Sequence, residues 1–224
     1  MVAAALAQHT HAPNIVIIFE GGVIGSQLKN GMLPLSTQEW RGARKSMAMV
    51  SNLDIFLYQQ RGFVDYGILG AAQVDMYGNI NTTAIGDFRK PAVRLPGSGG
   101  ANDIASLSTR VIIMCAHEKR RFVEKVDFVT SPGYLRGGSA REDAGLIFGG
   151  PYKVVTDLAL MGFDKRTRRM KLEAVQSGVS VEQVTSNTGF DLEIAEDVAV
   201  IKPPTKEEIR LVRAIDPEGT LLGG

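Results

Sequence analysis

What the sequence lacks narrows its function before any motif is considered. It has one cysteine, Cys115. No disulfide can form within the chain, and the cytoplasm is the expected compartment. No run approaches the roughly 18 apolar residues that mark a membrane-spanning helix. The start, Met1-Val2-Ala3-Ala4-Ala5-Leu6-Ala7, is apolar but has neither a basic region nor a cleavage pattern, so no signal peptide is expected. A net charge of +1 does not suit a protein that coats nucleic acid or an acidic membrane. His117-Glu118 has no second histidine at a ligand spacing, and His9 and His11 lie far off in sequence, so no metal site is expected. There is no Gly-x-Ser-x-Gly elbow, no Gly-Lys-Ser/Thr loop, no internal repeat and no low-complexity tract.

What is present is an ordinary globular composition. Of 224 residues, 44% are apolar and 22% charged, enough to bury a real core. The run Ile15-Val16-Ile17-Ile18-Phe19 predicts a strand buried on both faces, in the middle of a parallel sheet. Residues 1–8 read as a helix tail and 21–44 as a long loop. Ser51 caps a helix through Gln60. Strands are predicted at 65–69, 72–74 and 80–85, with a hairpin turn at Asp75-Met76-Tyr77-Gly78-Asn79. Further strands are predicted at 111–114, 126–129 and 153–156, with a short helix from Ala101. A hairpin pairs 158–163 with 170–175. Ser180 with Gln183, and Thr205 with Glu208, form capping boxes for two more helices. The expected architecture is one α/β domain over 1–224, an open, mostly parallel sheet flanked by helices with an added β-hairpin.

Few stretches carry chemistry. Glu20 ends the first apolar run and is followed by Gly21 and Gly22. It is either a solvated strand-end residue or a carboxylate at the sheet mouth, where open α/β folds bind ligands. Gly97-Ser98-Gly99-Gly100-Ala101-Asn102 is either a plain glycine turn or a cradle of backbone N–H groups for a phosphate or oxyanion. It is not a dinucleotide fingerprint, because Asn102 stands where a third glycine should fall. The basic runs at 119–121 and 165–171 are either solvated faces or holds for a phosphate-bearing ligand or a partner. Cys115 ends an apolar strand and reads as a buried, inert thiol.

Taken together, five blocks in order resemble the beta subunit of glutaconate CoA-transferase, a family I CoA-transferase. They are 17–22, 70–87, Gly97 to Asn102, 117–133 and 187–192, with Ile215-Asp216-Pro217 at the close. The resemblance implies a CoA-transferase fold and a partner alpha subunit in a hetero-oligomer, with the active site in the cleft between the two. It implies acyl-CoA and carboxylic acid substrates, possible dicarboxylic acids among them, and no permanently bound cofactor beyond coenzyme A itself as substrate. The family's catalytic glutamate falls on Glu20. Its oxyanion and CoA-contacting loop falls on Gly97, Ser98, Gly99, Gly100, Ala101 and Asn102, with Gly99 and Gly100 as donors. Gly21, Gly22, Gln73 and Asn81 become candidate pocket residues. The resemblance also implies a strand and a helix before Ile15: either the start at Met1 is misassigned or truncated, or the domain lacks that element, which would expose a sheet edge. The alternatives on the same fold are an acyl-CoA hydrolase and two kinds of similar protein, a ring-opening hydrolase and a decarboxylase. In the latter two the glutamate position is typically another residue, so its retention here favours transfer.

Overall fold

The computed structural model describes residues 1–222. The chain partitions into two compact units, one from Met1–Leu57 with the C-terminal segment from Pro204, the other Tyr58–Pro203.

The first unit begins with helix α1 (Val2–His9), followed by strands β1 (Ile18–Phe19), β2 (Val23–Ile24) and β3 (Ala48–Met49), then helix α2, which starts at Asn52 and runs to Gln60. The three short strands form one antiparallel sheet in the order β1-β2-β3. This corrects the reading of 15–20 as a doubly buried strand in a parallel sheet: Val16 is 52% exposed and only Ile18 and Phe19 are extended and paired. The physical reason is the glycine pair. Gly22 adopts φ +110°, a conformation open to glycine, and its N–H returns to the Phe19 carbonyl at 3.0 Å. The chain therefore folds back at once and pairs with its own continuation. A β-branched run gives strand propensity but no partner.

Ser51 caps α2 as expected: its hydroxyl accepts from Asp54 N–H (3.1 Å), while Asp54 accepts from Ser51 N–H (2.9 Å).

The second unit holds the larger core. Its strands in chain order are β4 (Tyr66–Leu69), β5 (Gln73–Val74), β6 (Ile80–Asn81), β7 (Ala84–Ile85), β8 (Val93–Arg94), β9 (Arg110–Met114), β10 (Pro151–Val155), β11 (Ala159–Phe163), β12 (Met170–Val175) and β13 (Glu193–Val200). Between them lie helices α3 (Ala101–Leu107), α4 (Ala140–Asp143) and α5 (Val181–Ser186). A six-stranded sheet runs β13-β12-β11-β10-β9-β4. The pairs β4–β9, β9–β10 and β12–β13 are parallel; β10–β11 and β11–β12 are antiparallel and make the added hairpins. Val111, Ile113, Val154, Met161 and Leu172 are fully buried in it, with Ala105 of α3 and Val184 of α5 packed into the same core. β4 is an edge strand, with Tyr66 and Ile68 exposed.

Three further differences have local causes. The run 80–85 is split, because Asn81 turns the chain between β6 and β7. Residues 126–129 are not a strand; Asp127 is bonded to the Gln73 side chain instead of to a neighbouring strand, and nearby there are single bridges, Val74 to Phe122 and Ile80 to Ser131. β13 escapes the sequence reading because its acidic, half-exposed pattern fits an edge strand poorly distinguished from loop.

The last helix, α6 (Lys206–Ile215), belongs to the first unit. Both predicted capping boxes are formed, at Ser180 and Thr205. α6 packs on α1, and Val2, Ala5 and Ile215 share a cluster with Phe19, Val23, Leu28 and Leu33. No helix among the described residues is long and apolar enough to cross a membrane.

Candidate active site

Glu20 sits at the tip of the β1–β2 turn and is half-buried. Its carbonyl accepts a hydrogen bond from Asn52 Nδ2 at 2.7 Å. Among the described residues no cation pairs with its carboxylate and no donor occupies it. The group is therefore held by its backbone and left with its lone pairs free. The two glycines that follow serve the turn. A Cβ on Gly21 would meet the Thr37 carbonyl oxygen at 2.8 Å, and one on Gly22 the Val50 carbonyl oxygen at 2.1 Å. The Val50 N–H also donates to the Gly22 carbonyl (2.8 Å). Gly22 thus admits close packing against the chain that carries β3 into α2, and Gly21 against the segment at Thr37 and Gln38 that precedes β3.

The glycine loop lies in the second unit. Gly97 (φ +95°) and Gly99 (φ +49°) take left-handed conformations, and a Cβ on either would meet nothing within 4 Å. Glycine is needed there for conformation, and the space beside the loop is open. Ala101 N–H donates to the Ser98 carbonyl (2.9 Å) and Asn102 N–H to Ser98 Oγ (3.1 Å). No acceptor among the described residues receives the N–H groups of Ser98, Gly99 or Gly100. Three successive backbone donors without an acceptor are the ingredients of an oxyanion or phosphate cradle.

A buried polar network supports this loop. Gly97 N–H donates to the Thr82 carbonyl, and Thr82 Oγ1 returns to the Gly97 carbonyl, both at 2.8 Å. Thr130 Oγ1 accepts from Thr82 N–H (2.9 Å), and its carbonyl accepts from Asn102 Nδ2 (3.0 Å). Asn81, with 0% exposure, donates to Gln73 Oε1 and to the Ala84 carbonyl, each at 2.7 Å, and accepts from Thr83 N–H (2.9 Å). Gln73 Nε2 donates to Asp127 Oδ2 (2.9 Å), which also accepts from Gly86 N–H (2.9 Å). Gln73 and Asn81 thus spend their amides inside the protein and set the shape of the strands behind the loop.

Arg141 anchors the same region from below. It is 1% exposed and faces carbonyls only: Nε donates to Phe148, the guanidinium nitrogens to Pro132, Gly133 and Ala105, at 2.9–3.1 Å. The Ala105 carbonyl belongs to the last turns of α3, where the helix dipole favours a cation. Burial pulls the Arg141 pKa down from its usual value, yet four carbonyl dipoles stand in for the missing carboxylate. The sequence carries no signal for Arg141, Thr82, Thr130 or Asp127: a polar residue in a glycine-rich loop looks the same whether it is solvated or buried.

The remaining candidates are structural. Cys115 is pushed up to about 11, chiefly by burial, so it is a thiol at neutral pH. His117 stacks on Phe122 at 4.2 Å between ring centroids, with Thr156 Oγ1 and Thr188 Oγ1 at 3.1 and 3.0 Å from its two ring nitrogens. Burial lowers its pKa. Of the basic runs, Arg120 and Arg121 pair with Glu118, and Arg169 with Asp191 and Glu193.

Comparison with known proteins places this chain in a family. The model of the coenzyme A transferase family matches residues 1–187. The chain is 42% identical to a 3-oxoadipate CoA-transferase subunit of Pseudomonas knackmussii, over 96% of this chain and 82% of that one. It is 39% identical to a glutaconate CoA-transferase subunit of Acidaminococcus fermentans, over 97% and 83% respectively. The crystal structure of glutaconate coenzyme A-transferase from the latter organism superposes with a TM-score of 0.92 at 37% identity, over 99% of this chain and 86% of that chain.

Proposed function

Because the chain belongs to the coenzyme A transferase family, we propose that it is the beta subunit of a heteromeric enzyme that moves CoA between acids through Glu20. The partner is an alpha subunit, in keeping with relatives that are themselves named as single subunits of CoA-transferases. The observation that carries the reading is the unengaged Glu20 carboxylate, fixed at a glycine turn by Asn52.

The chemistry follows from the groups. The Glu20 carboxylate attacks the thioester carbonyl of an acyl-CoA. The tetrahedral intermediate collapses to a mixed anhydride and releases CoA as a thiolate. The thiolate then attacks the Glu20 acyl carbon and expels the first acid as its carboxylate, leaving a glutamyl-CoA thioester. A second carboxylate runs the two steps in reverse and leaves as its CoA ester. Each tetrahedral intermediate bears an oxyanion, and N–H donors at Gly99 and Gly100 are the groups suited to hold it; one such donor is worth about 3–4 kcal/mol. Gln73 and Asn81 act as positioning residues for that loop. Binding of the remote nucleotide of CoA drives the strained steps, and water must be kept from the thioester. Glutaconate and 3-oxoadipate, named in the two relatives, are both dicarboxylates, so a dicarboxylic acid is the substrate class of choice.

The test is mass spectrometry of the chain, with its alpha subunit, after exposure to glutaryl-CoA. A CoA-sized adduct on the Glu20 peptide, absent in Glu20→Ala, is the expected result. Free acid and free CoA without an adduct, or turnover that survives Glu20→Ala, would instead indicate a hydrolase or decarboxylase on the same fold.

A further inference from the structure

We infer that the hairpin β7–β8 holds the phosphates of coenzyme A: Arg94 the diphosphate, and Arg89 and Lys90 at the tip the 3′-phosphate of the ribose. This rests on the transferase reading above and adds the part of this chain that recognises the nucleotide end of the substrate.

The hairpin grows directly out of the glycine loop. Ala84 pairs with Arg94, and Ile85 with Val93. The ladder continues as Leu95 N–H donates to the Thr83 carbonyl (3.0 Å) and Gly97 N–H to the Thr82 carbonyl (2.8 Å). Hairpin and loop are therefore one hydrogen-bonded ribbon. Its tip is fixed as well. Asp87 Oδ1 accepts from the N–H groups of Arg89 (2.8 Å) and Lys90 (3.1 Å), the local bonding by which an Asp stabilises a turn. Arg94 is preset too. Its Nη2 donates to the Phe88 carbonyl (2.9 Å), and its guanidinium lies 4.9 Å over the Phe88 ring, which stacks on Phe128 with 5.0 Å between centroids. A stacked guanidinium has less freedom to lose on taking up an anion, and its remaining N–H donors are available for one.

Charge favours phosphate. From Gly86 to Arg94 the sequence holds three cations and one carboxylate. Arg89, Lys90 and Arg94 are all exposed, and none is in an ion pair among the described residues. The carboxylates at the hairpin are both engaged by N–H donors: Asp87 at the turn, and Asp127 by Gly86 N–H and Gln73 Nε2, each at 2.9 Å. They temper the positive field without pairing off a cation. Arg120, Arg121 and Arg169, by contrast, are matched by Glu118 and Glu193. Unpaired arginine and lysine on a fixed backbone suit a phosphate.

Length assigns the phosphates. The arm of coenzyme A between its sulfur and its first phosphorus equals about four extended residues, about 14 Å. Arg94 precedes Gly99 by five residues, at most about 17 Å of chain, and its own side chain spans part of that gap. With the thioester at the Gly99 and Gly100 N–H groups, the diphosphate comes within reach of Arg94. The 3′-phosphate lies further from the sulfur, as Arg89 and Lys90 lie further from the loop.

The test uses the full chain with its alpha subunit. Turnover is assayed with glutaryl-CoA, glutaryl-dephospho-CoA and glutaryl-pantetheine, and affinity for CoA, dephospho-CoA and pantetheine is measured by calorimetry. Arg94→Met should lower kcat/KM for glutaryl-CoA about tenfold or more and leave that for glutaryl-pantetheine unchanged. Arg89→Gln combined with Lys90→Gln should abolish the wild-type preference for glutaryl-CoA over its dephospho form. Equal losses with glutaryl-CoA and glutaryl-pantetheine overturn the inference, because the hairpin then only braces the loop. So does weakened alpha-subunit binding with CoA affinity intact, which makes the hairpin a partner contact. If Arg94→Met loses its circular dichroism, the tip variant decides. A wild-type complex that transfers as well from glutaryl-pantetheine as from glutaryl-CoA sinks the phosphate site and spares the transferase. One that binds CoA but transfers none sinks the transferase, and the calorimetry of the variants still decides the hairpin.

Discussion

The Glu20 turn and the glycine loop are both built on glycine, yet they are held in opposite ways. Glu20 rides on a sheet of two-residue strands, steadied by Gly21 and Gly22 packed against neighbouring carbonyls and by one bond from Asn52. Gly97 to Asn102 rides on buried side-chain amides, hydroxyls and the guanidinium of Arg141. The first is positioned by steric fit with almost no side-chain support. The second is positioned by saturated polar contacts beneath a surface left open. Under the proposed mechanism the Glu20 carboxylate has to reach the thioester carbonyl, which a light hold allows, and the dipoles of the loop have to be fixed before the oxyanion's charge arrives.

Substitutions can break or sharpen this contrast. The largest effect is expected from Glu20→Gln: CoA exchange assayed with the alpha subunit should fall on the order of 10⁴-fold or more, while the urea midpoint stays put, because the carboxylate makes no internal contact. Arg141→Met should do the reverse. It strands four buried carbonyls, each worth about 1–3 kcal/mol when unpaired, so the chain should unfold in urea at a much lower midpoint, with activity lost only as the fold is lost. Gly22→Ala and Gly99→Ala divide the two glycine sites most directly. At Gly22 a methyl meets a carbonyl oxygen and a φ of +110°, so about 2–3 kcal/mol of stability should go. At Gly99 the space is open and φ is +49°, so the cost should be only about 1 kcal/mol, and any larger fall in kcat reports on the exposed N–H groups. Equal costs at the two glycines would erase the distinction.

The smallest effect lies on pH. The folded His117 pKa is below its ordinary 6.5 because the ring is buried. Below pH 6.5 the unfolded chain takes up a proton that the folded chain refuses, so stability falls as pH drops through that value and is unaffected above it. In His117→Gln the part of that slope due to this residue should vanish in urea titrations between pH 7 and pH 5.

Much of the chemistry was legible along the chain. Glu20 with its two glycines, and the run Gly97 to Asn102, are contiguous; the family resemblance was needed to choose between their idle and active readings, but each could be singled out as a candidate from its own neighbours. So could the hairpin of β11 and β12, and the two capping boxes, because a capping box or a turn is a local bargain struck within a few residues. Less legible were the partners of local segments. The run Ile15 to Phe19 has the composition of a central strand, but composition does not say which chain segment comes alongside. β13, acidic and half-exposed, announces itself only by the neighbour it pairs with.

The sequence by itself determined which residues could do covalent chemistry and where the backbone could turn, since side-chain type and φ preference belong to single positions. Only the tertiary structure decided that Glu20 stands on an antiparallel turn and that Gln73, Asn81 and Arg141 are spent inside. Those outcomes depend on which distant groups meet, as Asn81 meets Gln73 and Arg141 meets Ala105. Burial and hydrogen-bond saturation are properties of that meeting and are written in no single stretch of the chain.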